Sequence, residues 1–257
     1  MLQAARTTAM TPIATRLVSV CRHRAVWIPA AVLAIATALF WTTDLDQAIV
    51  RQFFSGDKAI PDIAARFPHG DEQPWKSLYV WGVYPAWILG CGGIVVWVVS
   101  FFWTKLAAWR DPGLFFALLL IIGPGILVNS VLKPYWSRPR PHATKTFKSC
   151  DDPDDPPRDF VPVWRRGLSV DDSSFPSGHA ATGFYLMAPA FVFYRRRPWL
   201  AAGFLLLGLA CGTIIGLARV VAGGHFPSDV LWAGGLVYFV ALALAQPFKF
   251  SRPVGDV

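Results

Sequence analysis

The sequence predicts an all-α membrane protein, a bundle of six transmembrane helices with a catalytic-looking site at their outer ends. Three observations carry that prediction. Hydrophobic residues fill 54% of the 257 positions and fall into blocks of spanning length divided by short charged loops, as in a chain that crosses a bilayer repeatedly. The net charge of +8 comes from lysines and arginines at the ends of those blocks, where membrane orientation accounts for them. No nucleic-acid motif is present, so nucleic acid is not an expected partner. Finally, the polar clusters with chemical potential stand at alternate block boundaries, which places them on one face.

The elements follow in chain order. Residues 1–24 carry Arg6, Arg16, Arg22 and Arg24 and no acidic residue, and are expected in the cytoplasm. The transmembrane domain is expected over 25–246. Its first span is Ala25 to Thr42; bulky Phe40-Trp41 argues against a cleaved signal peptide, which needs small residues at its end. An outer loop follows over 43–77. In it Ile49, Phe53 and Phe54 make either one face of a short interfacial helix or part of an ordinary loop, and His69 reads as a solvated turn residue.

Leu78 to Trp103 is the second span, bordered by tryptophan and tyrosine as interfacial belts are. Pro112 to Leu132 is the third, expected to kink at Gly123-Pro124-Gly125, with Asn129 bonding a neighbouring helix. The second outer loop covers 133–178. Its acidic run Asp151 to Asp155 reads as solvated, and Phe160-Val161-Pro162-Val163-Trp164, followed by Arg165-Arg166, as a segment dipping into the interface with the arginines near headgroups. His179 to Tyr194 is the fourth span, Trp199 to Ala222 the fifth and Ser228 to Gln246 the sixth. Arg195-Arg196-Arg197 and the tail 247–257, with Lys249 and Arg252, are expected inside. Cys21, Cys91, Cys150 and Cys211 lack paired spacing, so neither a disulfide framework nor a zinc site is expected of them.

With both termini inside, Lys133, His179, Arg219 and His225 all land on the outer face; one span more or fewer would divide them. Lys133-Pro134-Tyr135-Trp136-Ser137-Arg138-Pro139-Arg140-Pro141 holds three cations among stiffening prolines. Phe175-Pro176-Ser177-Gly178-His179 opens a helix, and the N–H groups of Ser177, Gly178 and His179 there form an anion site. Arg219 supplies a planar, permanent cation. Beyond Gly223-Gly224, Pro227 suits a first helical turn, so His225 stands at or before the cap and Asp229 one turn further in. A carboxylate there can fix one imidazole nitrogen and leave the other to attack.

Four cations (Lys133, Arg138, Arg140 and Arg219) around an amide-rich pocket suit a phosphoryl group, whose transfer depends on positioning and charge stabilisation. One histidine would attack phosphorus and the other protonate the leaving oxygen, giving a phosphohistidine that water hydrolyses. Two histidines and an aspartate could also ligate zinc, but four neighbouring cations would repel a dication. No metal and no cofactor is expected.

At these residues the sequence resembles the type-2 phosphatidic acid phosphatase superfamily of membrane lipid phosphatases, which shares its site with soluble vanadium haloperoxidases. The family's lysine, six residues, Arg-Pro corresponds to Lys133 and Arg140-Pro141, and its Pro-Ser-Gly-His to Pro176 through His179. Its Ser-Arg, five residues, His, three residues, Asp corresponds to Arg219, His225 and Asp229. Ala218 stands where the motif has serine, which removes one phosphate hydrogen bond. The resemblance implies a metal-independent helical bundle, with His225 as nucleophile, Asp229 as its partner and His179 as general acid. Lys133, Arg140, Arg219, Ser177 and Gly178 would hold the phosphate; apart from the resemblance, Arg138 among the prolines and Arg165 and Arg166 beside Trp164 are candidate substrate contacts. Gly-Gly-His-Phe-Pro-Ser-Asp and the long loop resemble bacterial lipid A phosphatases, while phosphatases of undecaprenyl diphosphate and phosphatidylglycerol phosphate share the core. The expectation is a bacterial inner-membrane enzyme with a periplasmic site, acting on a phosphorylated membrane lipid, lipid A favoured, with no obligate protein partner. A non-catalytic lipid-binding or transport protein on the same fold is the alternative from another class.

Overall fold

The computed structural model describes residues 12–56, 66–148, 156–168, 173–248 and 250, with side chains from residue 24 onward. The readings of Cys150, Asp151 to Asp155, Lys249 and Arg252 lie outside the described residues, as do Arg6 and the side chains of Arg16, Cys21 and Arg22. Among the described residues all repeating structure is helical, apart from two isolated bridges, Pro139 with Ser173 and Thr144 with Arg158.

Five stretches are long and apolar enough to cross a bilayer: Arg24–Thr42, Trp75–Val99, Thr104–Trp136, Pro198–Val221 and Pro227–Leu244. The first ends α1 (Pro12–Thr42), and the second holds α3 (Trp75–Trp81) and α4 (Tyr84–Val99). The third contains α5 (Arg110–Leu120), a π-helix over Ile121–Leu132, and a last α-turn, α6 (Lys133–Trp136). The last two are α9 (Pro198–Val221) and α10 (Pro227–Leu244). Trp27, Ile35, Ile88 and Trp199 are 68%, 70%, 72% and 89% exposed on these helices, which only a hydrocarbon surrounding makes favourable. The chain is a multi-pass membrane protein.

The fourth expected span, 179–194, is built differently. It is two short helices, α7 (Gly178–Tyr185) and α8 (Ala188–Phe193), with a turn at Leu186-Met187. Pro189 is the cause. Its ring would strike the carbonyl four residues back, at Tyr185, where α7 stops. These helices sit at the centre of the bundle: Ala180, Ala181, Tyr185 and Ala188 are wholly buried.

Close approach of α9 makes that central position workable. Gly208, Gly212 and Gly216 recur every fourth residue along it. A Cβ on each would lie 2.3 Å from the Met187 nitrogen, the Phe184 ring and a Val230 methyl respectively, so the bare stripe seats α7, the turn and α10.

The outer loops fold onto the helix ends. In the first, α2 (Leu45–Arg51) is followed by Phe54, whose ring lies 5.4 Å from Phe67 and 5.2 Å from Phe147. The segment therefore packs against the second loop and does not rest at the interface as an amphipathic helix. At the other end of the bundle Phe248 and Phe250 stack on one another and meet Phe115 edge-on.

Candidate active site

The site begins at the start of α10. Phe226 is the N-cap in extended conformation, Pro227 occupies the first turn, and the third helical residue, Asp229, turns its Oδ2 back to accept the Phe226 N–H at 2.7 Å. This cap, the side-chain half of a capping box, holds the carboxylate beside His225, which immediately precedes Phe226. Nδ1 of His225 lies 3.8 Å from Asp229 Oδ2, an ion-pair distance but too long for a hydrogen bond. Both groups are buried, and that imidazole nitrogen has no hydrogen-bond partner among the described residues. Such contacts commonly tighten when substrate binds.

Gly223, at φ +65°, turns the chain from α9 into this segment, and its carbonyl accepts the His142 N–H at 3.2 Å. That bond ties the Arg140-Pro141 loop to the segment that carries His225. At Gly224 a Cβ would come within 2.6 Å of Arg219 Nη2, so the missing side chain leaves room for the guanidinium. Arg219 lies 4.2 Å over the ring of Tyr79, and the Tyr79 ring lies 4.8 Å from that of His179. His179 is itself within electrostatic reach of Arg219, His225, Lys133 and Arg140. Two histidines and three cations thus face one space.

At the start of α7, Ser177 is the N-cap and its hydroxyl accepts the Ala180 N–H. The sequence offered three N–H groups here to a ligand. The structure commits the Ser177 N–H to the Asp229 carbonyl at 3.3 Å, joining α7 to α10. The N–H groups of Gly178 and His179, in the first turn, have no intrahelical acceptor. A Cβ on Gly178 would meet Asn129 Oδ1 at 2.4 Å, so this helix start lies against the π-helix. Asn129 itself bonds its own helix, through Pro124 O at 2.7 Å, and not a neighbour's backbone.

Arg138 departs from its expected place. Read as a substrate contact, it is instead fully buried behind Asp229, with its guanidinium between the carboxylates of Asp229 and Asp46. Asp229 at α10 and Asp46 on α2 attract it inward. Ala218, at the motif's serine position, is buried on α9. Arg165 and Arg166 are exposed; Arg166 lies 4.7 Å over the Tyr135 ring and, with Ser137, Gly167 and Leu168, lines a depression of 280 Å³. Trp164 meets Trp41 of α1 at 5.0 Å.

Two residues of the site escaped the sequence reading. Tyr79 and Asp46 come from helices outside every motif, and neither belongs to a recognisable spacing. A carboxylate just past the first span was the one visible signal for Asp46.

The donor set suits an oxyanion and not a metal. Asp229 Oδ1 is taken by Arg138 and Oδ2 by a backbone N–H, and the histidines stand among cations. Burial, reinforced by Arg219 and Lys133 and only partly opposed by Asp229, pushes the His225 imidazole down to about 4 from its ordinary 6.5. A depressed value means a neutral, nucleophilic ring at all pH values above that. The ring 15N shifts of His225 should accordingly report a neutral imidazole at pH 5.5. A protonated ring at pH 6 would contradict the burial argument. The unfolded chain takes up this proton first, so the group's contribution to stability is full above pH 6.5 and declines towards pH 4.

Residues 114–252 match the PAP2 superfamily. A lipid A 4'-phosphatase of Francisella tularensis subsp. novicida is 35% identical over 131 residues, covering 51% of this chain and 55% of that protein. A lipid A 1-phosphatase of Rhizobium johnstonii is 36% identical over 146 residues, 56% of this chain and 50% of that protein. The chain thus spans about half the length of the lipid A phosphatases it matches. Phosphatidylglycerophosphatase B of Bacillus subtilis is 25% identical over 205 residues, 77% of this chain and 87% of that protein. A crystal structure of a transmembrane PAP2 type phosphatidylglycerolphosphate phosphatase from Bacillus subtilis gives a TM-score of 0.46 at 21% identity, over 87% of this chain and 97% of that one.

Proposed function

The chain belongs to the PAP2 superfamily, and from that premise we propose that it is a membrane lipid phosphatase working through a phosphohistidine at His225. The observation that carries the reading is the juxtaposition of His225, backed by Asp229, with His179 and the cations Arg219, Lys133 and Arg140. With Nδ1 turned towards Asp229, Nε2 is the nitrogen that attacks phosphorus. The P–O bond to the lipid breaks as the N–P bond forms, and His179, which takes up a proton as the phosphate's negative charge enters among the cations, gives that proton to the leaving oxygen. Water then attacks the phosphohistidine, losing its proton to His179, and orthophosphate leaves with His225 restored. Lys133, Arg140 and Arg219, with the N–H groups of Gly178 and His179, stabilise the charge on the phosphoryl oxygens throughout.

The favoured substrate is a phosphate ester of lipid A, supported by relatives of that name; the longer alignment to a phosphatidylglycerophosphatase favours the second reading. Undecaprenyl diphosphate is the third candidate. Six crossings, with α7 and α8 together making the fourth, put both chain ends in the cytoplasm and the site at the periplasmic face of a bacterial inner membrane. Arg195-Arg196-Arg197 after α8 supports that orientation. No cofactor and no obligate protein partner is required.

The test is orthophosphate release by the purified protein, with EDTA present, from lipid A, phosphatidylglycerol phosphate and undecaprenyl diphosphate in mixed micelles. Release from at least one is expected; none, from folded protein, favours a lipid-binding role on the same fold. Arg165 and Arg166, beside Trp164 and exposed, are placed to touch a sugar or second phosphate. Replacing both by Ala should weaken use of a diphosphorylated lipid roughly 10- to 100-fold, the worth of one or two charged hydrogen bonds. Hydrolysis of 4-nitrophenyl phosphate should hardly change; equal losses on both would assign these arginines to the core site or the fold.

A further inference from the structure

Behind the His225–Asp229 pair lies a buried array of two carboxylates and one guanidinium. Arg138 Nη1 donates to Asp229 Oδ1 and, at 2.8 Å, to Ser228 Oγ, while Nη2 reaches Asp46 Oδ2 at 2.8 Å and Nε reaches the Val161 carbonyl at 2.7 Å. The guanidinium also lies 4.4 Å over the ring of Phe226. Asp46 takes a second set of bonds from the α10 start, accepting the Ser228 N–H at 2.9 Å and the Ser228 hydroxyl at 2.5 Å. Every atom of the guanidinium fork is therefore fixed, and the fork cannot rotate without losing a charged hydrogen bond in a dry interior.

We propose that Arg138, anchored by Asp46, is a positioning residue for the nucleophile: it holds the Asp229 carboxylate so that Oδ2 faces His225 Nδ1 and selects the Nδ1–H tautomer. A carboxylate has two equivalent oxygens, and one held only by the Phe226 N–H could still rotate about its Cβ–Cγ bond. Clamping Oδ1 from the opposite side removes that freedom. Asp46 matters because Arg138 alone would be a long side chain with several rotamers, whereas a second carboxylate on the far side leaves one. The tautomer is the functional consequence, since a proton on Nε2 would block attack from that nitrogen. The alternative role for the same residues is charge balance, in which Arg138 does no more than neutralise buried acids.

The discriminating protein is Asp46→Asn/Arg138→Met. It removes one negative and one positive charge together and so leaves the net charge of the buried array unchanged, while Asp229 Oδ1 and the Val161 carbonyl lose their donor. Its melting temperature in detergent should therefore fall, and spectra and rates are compared at a temperature where both proteins are folded. Ring 15N spectra, with the His225 signals assigned by their loss in His225→Asn, should show the Nδ1–H form in the parent and a mixture or the Nε2–H form in the double variant. With the substrate that the parent uses, kcat should fall at least about 100-fold, the cost of a misplaced catalytic group, with KM changed little. Arg138→Lys should recover part of that loss.

A double variant with parental tautomer and kcat would reduce Arg138 and Asp46 to charge balance, and an Nε2–H parent would overturn the proposal outright. Should the double variant not fold, Asp46→Asn alone is read the same way: it frees one side of the fork and should mix the tautomers, and parental spectra would count against the proposal. The kinetic arm rests on the phosphatase reading. The tautomer does not, so a parent inactive on every lipid would sink that reading while the spectra still decide this one.

Discussion

His225→Ala should lower phosphate release by at least about 10⁴-fold, the scale seen when a covalent nucleophile is deleted. Nothing else in the proposed site can take its place: His179 is set to give a proton, both oxygens of the Asp229 carboxylate are held by Arg138 and the Phe226 N–H, and the groups proposed to hold the phosphate are cations or backbone amides. The loss should be as large on 4-nitrophenyl phosphate as on a lipid, because both need the same N–P bond. Folding should survive. Nδ1 of His225 has no hydrogen-bond partner among the described residues, so truncation orphans no donor there. His179→Ala should behave differently, keeping measurable activity on esters with good leaving groups, which depart without a proton. The check is initial rates on both substrates at equal folded protein, with melting temperatures alongside. Comparable turnover in His225→Ala and the parent would remove His225 as the nucleophile.

Arg219→Ala should cost about 10²- to 10³-fold in kcat, in line with the loss of one preorganised charge-stabilising group. Its guanidinium lies over the ring of Tyr79 and is given space by the bare backbone at Gly224, so its position is set before substrate arrives. Arg219→Lys should therefore recover little. An ammonium keeps the charge but neither stacks as a plane nor offers a fork to two phosphoryl oxygens. A kcat unchanged in the alanine variant, with only KM raised, would make Arg219 a binding group that acts equally on substrate and transition state.

The helices were largely legible in the sequence because long apolar blocks leave little choice in a bilayer: α9 and α10 begin within a residue of where the apolar pattern starts. The motifs named the groups at the start of α7 and α10 because their chemistry depends on short local spacing. What was illegible depended on distance or direction. Asp46 meets Ser228 across 182 residues, and no periodicity links the two. Spacing among prolines said that Lys133, Arg138 and Arg140 were held, but not that Arg138 turns inward to two acids. The break between α7 and α8 had its signal in Pro189, outweighed in the reading by the apolarity around it. The glycine stripe on α9 was plainly spaced, and its meaning became clear only with Phe184, Met187 and Val230 against it.

The π-helix over Ile121–Leu132 has a consequence for aim. An α-helix carries each successive residue about 100° around its axis; a π-turn, closing its hydrogen bond one residue later, carries it less far. The lag accumulates through the stretch, and at its end stands Lys133. The compass bearing on which that lysine leaves the membrane is therefore written in the hydrogen-bonding pattern beneath it, where Pro124 withholds a donor and Asn129 and Ser130 bond carbonyls five residues back. Restored to ordinary α-helical winding, the same sequence would send Lys133 out in another direction, with every residue of the site unchanged.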